Sequence, residues 1–152
     1  MRRFGSLLNL QSVSVMAKDF FHQTVRTALE QDDWQITDDP LNLSIGEVDL
    51  SADLGAEKII VAERRTERIA VEVKNFVGQS LVSEFHKALG QYINYRLSMQ
   101  LSKADRVLYL AVPEPAWTTF FQRPFVLTAI QVYQIKLIIF DPNSQIIVRW
   151  IK

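Results

Sequence analysis

Glu72 and Lys74 are the two residues of this sequence whose types and spacing point most directly to chemistry. They stand two positions apart in the otherwise apolar run 69–74. Because side chains alternate between the two faces of a β-strand, Glu72 and Lys74 share one face and the apolar residues fill the other. A carboxylate and an ammonium side by side next to a hydrophobic core indicate a site rather than an ordinary surface.

Three carboxylates upstream of this strand are spaced to join the pair. Asp49, Asp53 and Glu57 recur every fourth residue, so in an extended chain they project to one side. The apolar run up to residue 63 and the charged turn after it predict a hairpin of strands 49–63 and 69–74. Its pairing brings the upstream acids toward the end of the strand that carries Glu72 and Lys74.

Two carboxylates that converge with a lysine can bind a hard divalent cation, Mg²⁺ or Mn²⁺, through oxygen ligands. The ammonium is then available to orient water or to stabilise negative charge on a phosphate. This set predicts metal-assisted hydrolysis of a phosphodiester. The alternative is a cross-strand salt bridge on a solvated face of the sheet.

A helix predicted over residues 80–101 supports the catalytic interpretation. Its apolar residues recur at intervals of three and four, which is the period of an amphipathic helix. A neighbouring face carries Lys87, Gln91, Asn94 and Tyr95, with Gln91 and Tyr95 one turn apart. Beside an acidic hairpin, this face is predicted to meet a phosphate or a metal ion, and a plain polar edge is the alternative.

These motifs resemble known families. An acid, then Glu-x-Lys on the next strand, then Gln-x-x-x-Tyr on a helix resembles the PD-(D/E)xK nuclease superfamily, and the helix pair resembles the auxiliary motif of its RecB-type members. A closer resemblance, from about Met16 to the C-terminus, is to the cyanobacterial XisH family. The segments that carry it are residues 17–22, 34–37, 39–41, 53–58, 71–80, 88–92, 140–142 and 146–150.

The XisH family is named as an fdxN element excision controlling factor, which connects it with programmed DNA excision in heterocyst-forming cells and with a partner family called XisI. The resemblance implies an α/β, restriction-endonuclease-like fold with a mixed central sheet and flanking helices over residues 16–152. It implies a metal-dependent DNA endonuclease-like activity that uses Mg²⁺ or Mn²⁺, with DNA and a XisI-like protein as partners. The alternative is a noncatalytic accessory factor that binds one of these partners to control excision.

Transferred residue by residue, the resemblance implies that Asp53, Glu72, Lys74, Gln91 and Tyr95 are the catalytic residues. Glu72 takes the place of the second acid and Lys74 that of the lysine. Gln91 and Tyr95 take the place of the helix motif, and Asp53 that of the first acid.

The first acid has alternatives in this sequence. No proline precedes Asp53, so the literal Pro-Asp of the superfamily name is absent. Asp53 lies nearer than Asp49 to the position opposite Glu72, and Glu57 lies nearer still. The implied metal ligands are Asp53, Glu72 and Glu57, and the choice of first acid among Asp49, Asp53 and Glu57 stays open.

Composition narrows the class of protein. A chain of 152 residues with 48% hydrophobic and 22% charged residues is typical of one globular domain. The absence of cysteine excludes disulfides and thiolate metal sites and is compatible with the cytoplasm. No apolar run approaches the ~20 residues of a membrane helix, so no membrane association is predicted.

The net charge of zero, from 17 acidic and 17 basic residues, argues against strong nonspecific binding to DNA. A nucleic acid must then contact a local basic patch. The candidate residues are Arg64, Arg65, Arg68, Lys87, Arg96, Lys103 and Arg106.

The rest of the chain divides by pattern. We expect residues 1–15 to be a disordered extension or a start-site artefact ahead of the domain 16–152. The further predicted elements are a helix capped by Asp19 and ending near 31–33, a strand 34–37, a central strand 107–112, a helix 116–130 broken at Pro124, and a closing hairpin of 135–140 with 145–151. The aromatic segment 117–125 carries more apolar surface than one small domain buries, which predicts a homodimer.

Overall fold

In a computed structural model, the chain forms an α/β fold in which helices cover both faces of a mixed sheet. The structure describes residues 10–38, 44–45, 48–49, 59–102 and 104–152. Its helices are α1 (Leu10–Gln31), α2 (Leu81–Leu101), α3 (Glu114–Thr118) and α4 (Pro124–Val132), with a 3₁₀ turn at Phe120–Gln122. Its strands are β1 (Gln35–Asp38), β2 (Ser44–Ile45), β3 (Val48–Asp49), β4 (Ile59–Arg64), β5 (Glu67–Val73), β6 (Val107–Pro113), β7 (Leu137–Asp141) and β8 (Ile146–Ile151).

Six strands form the main sheet in the order β1-β4-β5-β6-β7-β8. The pairs β5–β6 and β6–β7 are parallel, and the other neighbours are antiparallel. The short strands β2 and β3 pair with each other in a separate sheet. The mixed central sheet with flanking helices is therefore confirmed. So is the predicted central strand, because β6 is buried from Leu108 to Pro113.

Alternation along β5 assigns its side chains to two cores. Val71 and Val73 pack with Leu29 of α1 in the α1-side core. Ala70 packs with Tyr92 of α2 in the α2-side core, to which α3, the 3₁₀ turn and α4 also contribute. This three-layer arrangement buries the sheet on both faces.

The start of α2 is fixed by two local contacts. Ser80 is its N-cap, and the Ser80 side chain accepts a hydrogen bond from the Ser83 amide at 3.2 Å. The Glu84 carboxylate accepts a hydrogen bond from the Gly78 amide at 3.0 Å. A Cβ atom added at Gly78 would lie 2.8 Å from Glu84 Oε2, so glycine is what allows this close approach. The helix therefore begins at a set distance from the end of β5.

The hydroxyl of Tyr92 joins α2 to the sheet. It donates a hydrogen bond to the Leu108 carbonyl at 2.8 Å and accepts one from the Lys136 amide at 3.2 Å. Tyr92 is 1% exposed, and burial raises its pKa above the usual value of 10.0, with the charge of Glu72 adding to the effect. The hydroxyl is therefore neutral at physiological pH and keeps the proton that it donates.

Two expectations for the helices differ from the structure. Asp19 is not an N-cap, because α1 begins at Leu10 and already includes it; residues 10–18 contain neither glycine nor proline to stop the helix. The boundary expected at Met16 therefore falls within α1, and residues 1–9 lie outside the described residues. Although α1 has 22 residues, no helix in the described part of the chain is long and apolar enough to cross a membrane.

We expect Tyr92→Phe to lower the free energy of unfolding by about 1–3 kcal/mol, because it leaves a buried carbonyl and an amide without their partner. Denaturant titration measures the change. Tyr133→Phe is the matched control: Tyr133 is 48% exposed, and its loss should stay within about 0.5 kcal/mol. An equal effect of the two substitutions would show that the Tyr92 hydroxyl does not join the helix to the sheet.

Candidate functional site

Glu72 lies in the middle of the main sheet, on the face that α2 covers. Its register partners are Ile59 of β4 and Leu110 of β6, and both belong to the α2-side core. Glu72 is 0% exposed. Burying an ionised carboxylate among apolar residues is costly unless the charge is paired and hydrogen-bonded. The sequence places a charge here that the local environment must compensate.

Lys74 supplies a nearby opposite charge. Its Nζ atom lies 3.6 Å from Glu72 Oε1, and its side chain is 15% exposed. Its backbone amide donates a 2.9 Å hydrogen bond to the carbonyl of Ala111, which continues the pairing of β5 with β6 beyond the last strand residue. The pair is thus an inward-facing ion pair at the end of a central strand. It is not the solvated surface salt bridge that the sequence left as the alternative.

Helix α2 turns polar residues toward the same side of the sheet. Gln91, Tyr95 and Ser98 are each no more than 2% exposed, and their spacing of four and three residues puts them on one face of the helix. Gln91 and Tyr95 therefore lie in the interface between sheet and helix. Ser98 was missed, although its spacing from Tyr95 was a signal available in the sequence.

The prediction of which α2 residues are buried is partly wrong. Lys87 and Asn94, predicted to share a face with Gln91, are exposed. Leu97, predicted to lie in the buried stripe, is 46% exposed. The prediction assumes that the buried face of α2 is the face with the most apolar residues. That assumption holds when the helix packs on an apolar surface, but this sheet carries a buried carboxylate. The helix is rotated so that polar residues join the buried face.

Phe76, two residues beyond Lys74, is a positioning residue that the sequence did not reveal. Its φ is 52°, in the left-handed region that a bulky residue rarely adopts. Its side chain is 7% exposed, and its ring lies edge-on to Phe121 at a centroid distance of 5.0 Å. Such a backbone persists only where surrounding contacts hold it. The aromatic contact fixes the chain direction directly after the ion pair.

The candidates for the first acid lie largely outside what the structure describes. Asp53 and Glu57 are outside the described residues. Asp49 is the last residue of β3, and its side chain is also outside the described part. The predicted hairpin is confirmed for β4 with β5, from Ile59 onward. The choice among the three acids stays a prediction.

Within the described ranges, no group of three or more His, Cys, Asp or Glu side chains could hold a metal ion. Glu72 offers the carboxylate oxygens that Mg²⁺ prefers, close to the ammonium of Lys74. What the described site provides is one negative and one positive charge held together where little water reaches.

The chain is similar to known proteins. A family model described as XisH protein matches residues 15–148. The crystal structure of an fdxN element excision controlling factor protein from Anabaena variabilis is 50% identical, with a TM-score of 0.81, and the match covers 88% of this chain and 99% of that chain. That of an XisH family protein from Nostoc punctiforme PCC 73102 is 49% identical, with the same TM-score and coverage. No curated protein matches this chain.

A double-mutant cycle tests the ion pair. We expect Lys74→Met to lower the free energy of unfolding by about 1–3 kcal/mol, because Glu72 keeps its buried charge without this partner. Adding Glu72→Gln should recover part of that loss and give a coupling energy of about 1–2 kcal/mol, measured by denaturant titration. The control is the pair Arg68 and Glu63, whose charged atoms lie 3.3 Å apart and whose side chains are 52% and 34% exposed; it should couple by less than about 1 kcal/mol. Equal coupling of the two pairs would contradict the special environment of Glu72.

Proposed function

We propose that this chain, which belongs to the XisH family, takes part in the excision of a DNA element. The support is its similarity to the Anabaena variabilis protein, which is described as an fdxN element excision controlling factor. The two chains are 50% identical, and the match covers nearly all of the Anabaena chain. A likeness of that extent favours a shared process.

We propose further that the chain contributes a metal-dependent DNA endonuclease site on a restriction-endonuclease-like fold of the PD-(D/E)xK superfamily. The observation that carries this proposal is the inward-facing pair of Glu72 and Lys74, with a distance of 3.6 Å between its charged atoms, at the end of a central strand. The buried Gln91 and Tyr95 of α2 lie on the same side of the sheet. The order of a helix, three antiparallel strands of the main sheet, a helix and a parallel strand is also what this proposal requires.

Each residue has a role in this proposal. Glu72 and a first acid would hold Mg²⁺ or Mn²⁺, and the bound ion would supply positive charge to activate water and to offset charge on the phosphate. Lys74 orients the attacking water or steadies the phosphate, and Gln91 and Tyr95 orient the substrate. Glu57 is the candidate acid nearest to the described site along the chain, because it precedes Ile59, the register partner of Glu72, by two residues.

The exposed fractions of Glu72 and Lys74 indicate from which side a substrate would approach. The side chain of Glu72 has no exposed surface, whereas that of Lys74 is 15% exposed. A phosphate must therefore come to the end of β5 and meet Lys74 first. The buried carboxylate acts from behind it, without direct contact with the DNA backbone.

The alternative proposal is a noncatalytic accessory factor that binds DNA or a XisI-like protein. The complete burial of Glu72 favours it, because a carboxylate sealed by packing can serve the fold alone. The net charge of zero favours it as well, since the chain as a whole does not attract DNA. Cleavage assays separate the two proposals.

We expect the purified protein to cleave DNA only with Mg²⁺ or Mn²⁺, on a panel of linear, branched and single-stranded substrates tried with and without a XisI-like partner. Lys74→Ala should abolish cleavage, because it removes the charge that positions water or phosphate. Glu72→Gln should weaken Mn²⁺ binding in calorimetry, because one charged ligand is lost. Among Asp49→Asn, Asp53→Asn and Glu57→Gln, the substitution that matches Glu72→Gln identifies the first acid.

A control separates chemistry from stability. Ile138→Val, in the α1-side core, should cost about 0.5–1.5 kcal/mol of folding free energy and leave cleavage intact. Circular dichroism should show that Lys74→Ala is folded at the assay temperature. If the wild type cuts no DNA with either ion, and neither Lys74→Ala nor Glu72→Gln changes the binding of metal or DNA, the accessory role replaces the nuclease.

We also propose a homodimer, on the evidence of one exposed residue of the aromatic segment 117–125 rather than of the whole segment. Phe120 and Phe121 are at most 2% exposed and belong to the chain's own core, but Phe125 on α4 is 74% exposed. Light scattering should report a dimer, and Phe125→Ser should shift it to a monomer because the apolar contact is lost. Phe20→Ser, on α1 and 53% exposed, is the control. A monomer at high protein concentration would overturn this proposal.

A further inference from the structure

An open groove of about 1150 Å³ lies on the α2 side of the molecule, away from the ion pair. Its walls come from α2 and α4, and its ends from the start of β6 and the end of β8. Val107 at its edge pairs with Ile69, whereas Lys74 stands five residues further along the chain from Ile69. At the rise of a β-strand this places the groove and Lys74 about 16 Å apart along β5. The groove thus lies apart from the ion pair of Glu72 and Lys74.

The groove walls are held in place before any ligand binds. Arg96 of α2 donates hydrogen bonds from one guanidinium nitrogen to the carbonyls of Tyr133 and Gln134, at 3.0 and 3.1 Å. Those carbonyls follow the end of α4, so the bonds join the two walls. The hydroxyl of Tyr92 fixes α2 to the sheet below. A preformed groove loses little conformational entropy on binding.

The charged side chains that line the groove all carry a positive charge. Besides Arg96, its lining contains Arg106, Lys136, Arg149 and Lys152, and it contains no acidic residue from the described ranges. None of these four cations forms an ion pair with another residue in the described part of the chain. The Nε atom of Arg106 is buried and has no hydrogen-bond partner among the described residues. In a chain of zero net charge, this is a local concentration of positive charge that calls for an anionic ligand.

Apolar side chains accompany these cations along the rim. Leu97 is 46% exposed, Val107 43% and Leu127 36%, and all three line the groove. They come from α2, β6 and α4, so the apolar surface spans the groove rather than one edge. A ligand that fits must present apolar groups and negative charge together.

This combination selects among the possible occupants. The sugar-phosphate backbone of a nucleic acid offers negative charge, but the aliphatic rim of Leu97, Val107 and Leu127 offers its bases no aromatic ring to stack on. A second copy of this chain that docked groove to groove about a two-fold axis would bring cations against cations. An amphipathic helix with acidic flanks matches both features, because helices bind grooves by apolar anchors one turn apart.

We propose that the groove binds an acidic amphipathic helical segment of a partner protein. The apolar side chains of the segment rest on Leu97, Val107 and Leu127. Its carboxylates meet Arg106 and Lys136 within the groove and Arg149 and Lys152 at the end of β8. This docking surface is independent of the nuclease proposal and holds whether or not the protein cleaves DNA.

The test is a selection from a phage library of random peptides of about 16 residues, long enough to form a helix. The wild-type chain should enrich sequences in which apolar residues recur every three or four positions and Asp or Glu exceed Lys and Arg. The selected peptide should bind at least about fivefold more weakly to Arg149→Gln/Lys152→Gln, which removes two charges, as measured by fluorescence anisotropy. Leu97→Gln should weaken it as well. These residues are exposed or partly exposed, so the variants should stay folded.

Three controls make the selection decisive. The affinity for the peptide should be unchanged in Arg65→Gln, which removes an exposed cation on the turn between β4 and β5. It should also be unchanged in Lys74→Ala, at the candidate active site. A peptide with each acid replaced by its amide should bind more weakly. Single-stranded and duplex oligonucleotides should bind more weakly than the peptide and should not displace it. Enriched sequences without an acidic excess, equal binding to Arg149→Gln/Lys152→Gln, or displacement by an oligonucleotide would overturn the proposal.

Discussion

The charge of Glu72, buried in the centre of an apolar sheet, is the constraint to which much of the surrounding structure responds. The side chains of Ile59 and Leu110 on the neighbouring strands are apolar, so a charge buried between them is costly unless other groups pair with it. Lys74 brings an ammonium nitrogen to 3.6 Å, and α2 turns Gln91 and other polar residues to the buried side. A sheet with an apolar residue at this position would not require a helix with a polar buried face.

The connection from β5 to α2 fixes the position of the helix relative to Glu72 and Lys74. Phe76 turns the chain through a left-handed conformation, held by its contact with Phe121, and Ser80 then caps the helix. Further along the helix, Tyr92 binds the sheet and Arg96 binds the segment that follows α4. The same helix thus contributes to two features, because Gln91 and Tyr95 belong to the candidate active site while Tyr92 and Arg96 line the basic groove.

The two features suit different kinds of recognition. Glu72 and Lys74 are nearly enclosed, so their chemistry depends on what reaches the end of β5. The groove is open, with exposed apolar residues and cations that form no ion pair among the described residues, so it suits a large surface. The proposal of a reaction on DNA rests on the ion pair, and the proposal of a protein partner rests on the groove. The net charge of zero does not reveal the basic groove, because acidic and basic residues lie in different places in the fold.

The sequence by itself determined whatever depends on neighbours along the chain. Alternation placed Glu72 and Lys74 on one face, an unbroken apolar run marked β6 as doubly buried, and turn residues marked the closing hairpin. The order of the main elements followed from these patterns, because each reports a local backbone geometry. Only the tertiary structure decided how deeply Glu72 is buried, which way α2 is rotated so that Leu97 is exposed, and that cations from α2, β8 and the segments before β6 and β7 line one groove. These properties depend on contacts between residues far apart in sequence, and no local period records them.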